Sequence, residues 1–374
     1  MIAFYLPQFH PIPENDRWWG KGYTEWTAVT RARPMFPGHR QPRYPGELGY
    51  YDLRVPDTRE HQANLARAHG IEGFCYWHFW LGNGKTLLDR PFREVLASKE
   101  PDFPFCLAWA NHDWFDKNGR DWKLLIKQQY PGRRDEAAHF RHLEPAFHDE
   151  RYVRVDGRPV FLIFEPDQLP EPQQFIEHWR QLADQSGLQG LFFIGRSLHG
   201  DLRPEKYGLD AIQPGQILPF AQRAAEAGQR FHPDFLASSL NHWLCRRLHV
   251  LELQSYRKWS PYLPHLARGA YSFPVVYSNW DSTPRWGRRG LVMRNESAEV
   301  FGAQLRRAMS LVADRPDDHR LVFLKSWNEW AEGNYLEPDR HSGRALLETL
   351  RAVVTSAPAS GPPEDLHGRD DGAG

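Results

Sequence analysis

Little in this sequence is out of balance. Its 374 residues carry 47 basic and 47 acidic side chains, so no net charge draws the chain to nucleic acid or to an anionic membrane. Cysteine is scarce: Cys75, Cys106 and Cys245 are too few and too scattered for a disulfide framework or a metal knuckle. The first two sit in apolar runs, where a buried thiol is expected. No run approaches the roughly 20 apolar residues of a membrane span. The opening MIAFYLPQFHPIP has no basic segment ahead of its short, proline-broken apolar stretch, so a secretory signal is not expected. The expectation is a soluble, cytoplasmic protein with no nucleic-acid partner and no membrane insertion, its oligomeric state open.

What the chain does have is aromatic side chains, 14% of residues with 15 Trp among them. Indole faces stack on the apolar C–H faces of sugar rings, so this excess points to carbohydrate; core packing is the competing use. Short apolar runs rich in β-branched and aromatic residues alternate with stretches of helical period, the pattern of βα units around a parallel sheet. Eight runs are expected as strands: Ile2–Leu6, Ile71–Tyr76, Phe103–Trp109, Val160–Phe164, Leu191–Ile194, Ala211–Gln213, Phe273–Tyr277 and Leu321–Lys325. Helices are expected over Asp57–His69, with Asp57 and Thr58 as capping oxygens, and over Glu171–Ser186, Glu296–Asp314 and Gly343–Thr355. The fold class is therefore a single (β/α)₈ barrel over residues 1–355, with long loops after strand one and before strand seven. A Pro-, Gly- and acid-rich tail, 356–374, is expected to be disordered.

In such a barrel the chemistry sits where the strands end, so the residues following each strand are the candidates. Strand one contributes Tyr5 and Gln8, with Trp26 further along its loop. Strand two, ending in CYWHFW, contributes Tyr76, His78 and Trp80, with Trp77 divided between stacking platform and core. For His78 a packed structural imidazole and a sugar-hydroxyl ligand are both open. Strand three runs into WANHDW and brings Asn111 and Trp114; no metal-ligand spacing accompanies its His112 and Asp113, so neither a metal nor a cofactor is expected. Strand seven exits at SNWDSTPR, where Asp281 and Arg285 form either a structural ion pair or a second acidic contact.

Strand eight is the most informative. It runs into WNEWAEGNYLEP, which holds Glu329 and Glu332 with Asn328, Trp330 and Tyr335 around them. Glycosidic cleavage usually needs one carboxylic acid to protonate the leaving oxygen and a carboxylate to act as base or nucleophile. Three residues apart on a helical turn, the two Glu share a face, and crowding them raises one pKa and keeps an acid available near neutrality. The alternative is an acidic pair in the first turn of a surface helix.

The segments IAFYLPQFHPIPENDRWWGKGYTEWT, FCYWHFW, CLAWAN, VDGRPVFLIF and SWNEWAEGNYLEPD together resemble the WbsX-type proteins, which are related to glycoside hydrolase family 99, over nearly the whole chain. The resemblance implies a (β/α)₈ barrel and assigns the two catalytic Glu of the family's NEWxEG segment to Glu329 and Glu332. It implies that Glu329 acts as base on a sugar 2-hydroxyl, giving a 1,2-anhydro intermediate. Glu332 then serves as acid on the leaving group and as base on water, with retention of configuration on an α-mannoside-like glycan. Two departures stand out: Ala331 where the hydrolases commonly have His, and His112-Asp113-Trp114 after WAN. Both bear on the identity of the sugar rather than on the reaction centre. The partner expected is an oligosaccharide or polysaccharide. A glycosyltransferase of surface-polysaccharide synthesis and a non-catalytic glycan-binding barrel are the other readings.

Overall fold

The computed structural model describes residues 1–116, 122–197, 203–214, 240–241, 243–245, 247–248, 250–260, 264, 266 and 270–356. All eight expected runs form strands: β1 Ile2–Tyr5, β2 Gly73–Trp80, β3 Phe105–Trp109, β4 Arg158–Ile163, β5 Phe192–Ser197, β6 Ala211–Pro214, β7 Val275–Tyr277 and β8 Phe323–Lys325. Neighbouring strands are parallel throughout, in the order β6-β5-β4-β3-β2-β1-β8-β7. The ends of that order meet. Ile212 of β6 bridges in parallel to Ser272, just ahead of β7: its N–H donates to Tyr271 O at 2.9 Å and its carbonyl accepts from Phe273 N at 3.0 Å. The sheet is thereby a closed ring of TIM-barrel type.

Around it lie α1 (Pro13–Trp19) and α2 (Glu25–Arg31), both in the long segment after β1, then α3 (Pro56–Ala68), α4 (Arg90–Ser98), α5 (Arg133–Phe147), α6 (Pro172–Gln185), α7 (Ala298–Ser310) and α8 (Ala345–Ser356). Helix α3 starts one residue earlier than expected. Pro56 takes the first helical position and Val55 the cap, so Asp57 and Thr58 lie inside the first turn and make no capping bond. Helix α7 is capped by Ser297, whose Oγ accepts from Val300 N at 3.2 Å. Helices α4 and α5 have no counterpart in the sequence reading; α5 carries Arg, His and an internal Pro145 that obscure its apolar spacing. Residues 215–239 of the second long insertion, and the tail beyond Ser356, lie outside the described residues.

A parallel sheet is covered on both faces, and ring contacts identify which side chain points where. Phe4 stacks on Trp77 with centroids 4.9 Å apart and touches Phe323 at 5.8 Å, while Trp77 meets Phe164 edge-on at 5.4 Å. These residues come from four parts of the ring, so they converge on its inside. The two-residue period of a strand then turns Phe74, Tyr76, His78 and Trp80 outward. Tyr76 packs on Phe92 of α4, His78 and Trp80 on His139 of α5, and Phe161 of β4 on Trp179 of α6.

Trp179 is fully buried and touches Phe161, Phe175 and His139 at the junction of β4, α5 and α6. Trp179→Ala is expected to lower stability by about 3–5 kcal/mol, read as a lower denaturant midpoint with the slope unchanged.

Candidate active site

The WNEWAEG segment folds differently from the helix its spacing suggested. Asn328–Glu329 pairs antiparallel with Asn334–Tyr335, and Trp330–Glu332 between them makes one 3₁₀ turn. Side chains three apart eclipse on a 3₁₀ turn, so Glu329 and Glu332 still share a side. Gly333 closes the turn at φ +65°, where a Cβ would lie 2.7 Å from the Asp281 Cβ, so only glycine fits. Asn328 pins the turn to the end of β1: its Oδ1 accepts from Leu6 N at 2.7 Å and its Nδ2 donates to Leu6 O at 3.1 Å.

Glu329 is 3% exposed. Its Oε1 accepts from Lys325 Nζ at 2.7 Å, Trp77 Nε1 at 2.8 Å and Ser326 Oγ at 3.1 Å. Burial pushes its pKa up, but the Lys325 ammonium, the Arg285 guanidinium and these donors outweigh burial and hold it down at about 2. Lys325 is itself buried, over the faces of Trp77 and Phe4.

Glu332 goes the other way. Its side chain keeps 14% exposure. Burial raises its pKa, Arg285 lowers it, and the charge of Glu329 with a side-chain hydrogen bond between the two raises it again, for a net rise. Arg285 is shared. Its Nη1 donates to Glu332 Oε1 at 2.7 Å and its Nη2 to Glu25 Oε1 at 2.8 Å. Glu25 is buried at the start of α2, and also accepts from Ala331 N at 3.1 Å and Gln8 Nε2 at 3.2 Å. Half of the guanidinium is thus turned away from Glu332, which leaves room for its pKa to rise. The two carboxyls are thus shifted in opposite directions, Glu329 down and Glu332 up, the kind of separation from which acid and base roles arise.

Of the other candidates, Gln8 and Arg285 stand at this pair, and the rest are placed elsewhere or are fully engaged. Asp281 is buried with both oxygens occupied: Oδ2 accepts from His39 Nε2 (2.9 Å) and Gln41 Nε2 (2.7 Å), Oδ1 from Thr283 Oγ1 (2.6 Å) and N (3.1 Å). Its backbone N–H donates to Glu332 O at 2.7 Å, so it braces the turn. Trp330 and Tyr335 stack with centroids 3.8 Å apart beneath the turn; Trp330 Nε1 donates to Glu337 and Tyr335 OH to Asp339. Trp26 is buried against Phe9, Tyr51 and Trp330, its Nε1 donating to Tyr51 O, and is no free stacking platform. Tyr5 points outward to Gln62 of α3. Tyr76, His78 and Trp80 lie on the outer face for the reason of strand period given above; Trp80 lines a cavity of about 270 Å³ between the barrel wall and the starts of α5 and α6, away from the Glu pair. Asn111 spends its amide on Glu165, taking Glu165 N at 2.8 Å and giving to Glu165 O at 2.8 Å, and so ties the loops after β3 and β4 together. Trp114 packs on Phe79 and Trp18 at the rim.

Two residues that matter here, Lys325 and Glu337, are not singled out from sequence, and two that sequence names, Trp77 and Glu25, serve in another role. Trp77 and Lys325 hold Glu329, Glu25 holds Arg285, and Glu337 anchors the turn from below. Buried Glu337 collects Gln62 Nε2 and Trp330 Nε1, each at 2.6 Å, and Tyr51 OH at 2.9 Å; burial raises its pKa to about 7. The available signal was Lys325, a charge closing an apolar strand four residues ahead of Glu329. Among the described residues one cluster of metal-ligating type occurs, Asp156, Asp318 and His319. It lies at the opposite end of the barrel, and its atoms bond to one another.

Fold and site together define a barrel of TIM type with a carboxylate pair at the C-terminal ends of its strands. The family described as "Glycosyltransferase WbsX" matches residues 1–350, and the chain belongs to that family. It is 38% identical over 368 residues to an uncharacterized protein, WxcX, of Xanthomonas campestris pv. campestris, matching 96% of this chain and 50% of WxcX. The chain therefore spans about half the length of the curated relatives it matches. In structure it is similar to the GH99 endo-alpha-mannosidase of Bacteroides thetaiotaomicron, with a TM-score of 0.56 and 15% identity over 95% of each chain. It is also similar to a glycoside hydrolase-like protein, with a TM-score of 0.56 and 13% identity over 94% of this chain and 92% of that one. At such identities the likeness is one of fold.

Two substitutions test the electrostatics. Lys325→Gln removes the main counter-charge of Glu329, so the acid limb of the kcat/KM profile on a turned-over glycan is expected to move up by about 1–3 pH units. Glu25→Gln gives Arg285 wholly to Glu332 and lowers that group's pKa, so the basic limb is expected to move down by about one unit.

Proposed function

We propose that this chain is a retaining glycoside hydrolase acting on an α-linked, mannoside-like glycan or a bacterial surface polysaccharide, through participation of the sugar's own 2-hydroxyl. The observation that carries the reading is a hydrogen-bonded pair of Glu shifted in opposite directions, Glu329 buried and held down, Glu332 raised and reaching solvent. Glu329 takes the proton of the 2-hydroxyl while that oxygen attacks the anomeric carbon. The glycosidic oxygen leaves with the proton of Glu332. In the second half Glu332 takes a proton from the water that attacks the anomeric carbon, and the opening ring oxygen recovers its proton from Glu329. Two inversions give retention, and no bond forms between sugar and protein. Trp77, Lys325 and Ser326 all donate to Oε1 of Glu329.

The second reading is a glycosyltransferase of surface-polysaccharide synthesis, favoured by the family's description. A nucleotide-sugar donor calls for a diphosphate site. The acidic run Asp314–Asp318 does not serve it, because Asp317 and Asp318 are exposed beside His319 at the opposite end of the barrel. Tight calorimetric binding of a sugar nucleotide would favour this reading.

Glu329→Gln and Glu332→Gln, assayed on α-mannosides and bacterial polysaccharides with the product anomer followed by NMR, are each expected to lose about 10²–10⁴-fold in kcat. Full activity in both variants contradicts the proposal.

A further inference from the structure

The inner face of the barrel carries, beside the two paired cations at the Glu pair, a third that has no counter-charge among the described residues. Arg196 of β5 is 8% exposed, with its Cζ 4.4 Å from the centroid of the Phe164 ring. Phe164 in turn meets Trp77, whose indole holds Glu329, so Arg196 lies on the same wall with two aromatic rings between it and Glu329. Lys325 and Arg285 each bond a carboxylate; among the described residues Arg196 bonds none. Next to it, Gln213 of β6 is in parallel register with Arg196 and therefore points to the same face. Gln213 is 2% exposed, and its Nε2 is buried with no acceptor.

Two donors thus converge where the described residues supply no acceptor. Desolvating a guanidinium is costly, and a ring face returns only part of that cost. A buried amide N–H without an acceptor adds to it. Arrangements like this persist where a ligand completes them, and the planar fork of Arg fits a carboxylate or phosphate bidentately.

We propose that Arg196, with Gln213, forms a subsite for an anionic substituent of the glycan, a ring carboxylate or a phosphate ester, on a sugar next to the one that reacts. This rests on the reading of the chain as a glycan-active barrel and narrows its substrate to acidic polysaccharides.

Binding tests it without turnover. Methyl hexuronides, hexose 6-phosphates and matched neutral methyl hexosides are titrated by saturation-transfer NMR into the wild-type chain, Arg196→Gln, Arg196→Lys and Gln213→Leu. An anionic sugar is expected to bind about ten-fold or more tighter than its neutral match, the preference vanishing in Arg196→Gln and persisting in part in Arg196→Lys. Which anion gains identifies carboxylate or phosphate. Circular dichroism and the melting temperature show that each variant is folded. Equal binding of charged and neutral sugars by wild type, or an unchanged preference in folded Arg196→Gln, overturns the proposal. Repeating the titration in Glu329→Gln separates the two ideas: the preference survives there whether or not Glu329 is needed for turnover.

Discussion

A carboxylate almost wholly withdrawn from water stays ionised only if protein donors and charges replace its hydration shell. At Glu329 that replacement comes from Lys325 and Trp77, one at the end of β8 and the other on β2, both on the inner face of the ring. The two strands flank β1, so the pairing of β8 and β2 onto β1 is what brings the two donors to one carboxylate. The rest of the site follows from that fixed negative charge. It raises the pKa of Glu332 next to it, and it sets the electrostatic frame in which Arg285 is shared with Glu25.

The turn carrying both Glu is held as firmly as the charges. Asn328 binds it to β1, Asp281 braces it from the β7 loop, and Glu337 collects donors beneath it from α3 and from the long loop after β1. The loop after β1, with its Trp and Tyr, therefore works as scaffold at least as much as sugar platform. Its Tyr51 and Trp26 pack under the turn, and its Glu25 reaches over to the Ala331 N–H.

The strands were legible because each is an apolar, β-branched or aromatic run, and the Glu pair because its motif directly follows the last of them. The inward and outward faces were not. In CYWHFW both faces are buried, one against the core and one against helices, so polarity does not mark the side. Sequence therefore points to the outward Tyr76, His78 and Trp80 as readily as to the inward Trp77. Nor could the sequence show that Asp281 and Asn111 have their polar atoms fully engaged, since their partners are set by distant chain: His39 and Asp281 are separated by 242 positions. The helix expected at the Glu pair became a 3₁₀ turn because Gly333, packed against Asp281, ends it after one turn.

The central claim is that the two Glu of one turn are shifted in opposite directions, Glu329 down and Glu332 up. Carboxyl ¹³C NMR of Glu-labelled protein, with the signals assigned through Glu329→Gln and Glu332→Gln, measures this directly as a coupled titration. The account predicts that Glu329 stays ionised down to about pH 2 and that Glu332 titrates above the ordinary glutamate range. Two titrations at ordinary glutamate values, or the reverse order, would contradict it.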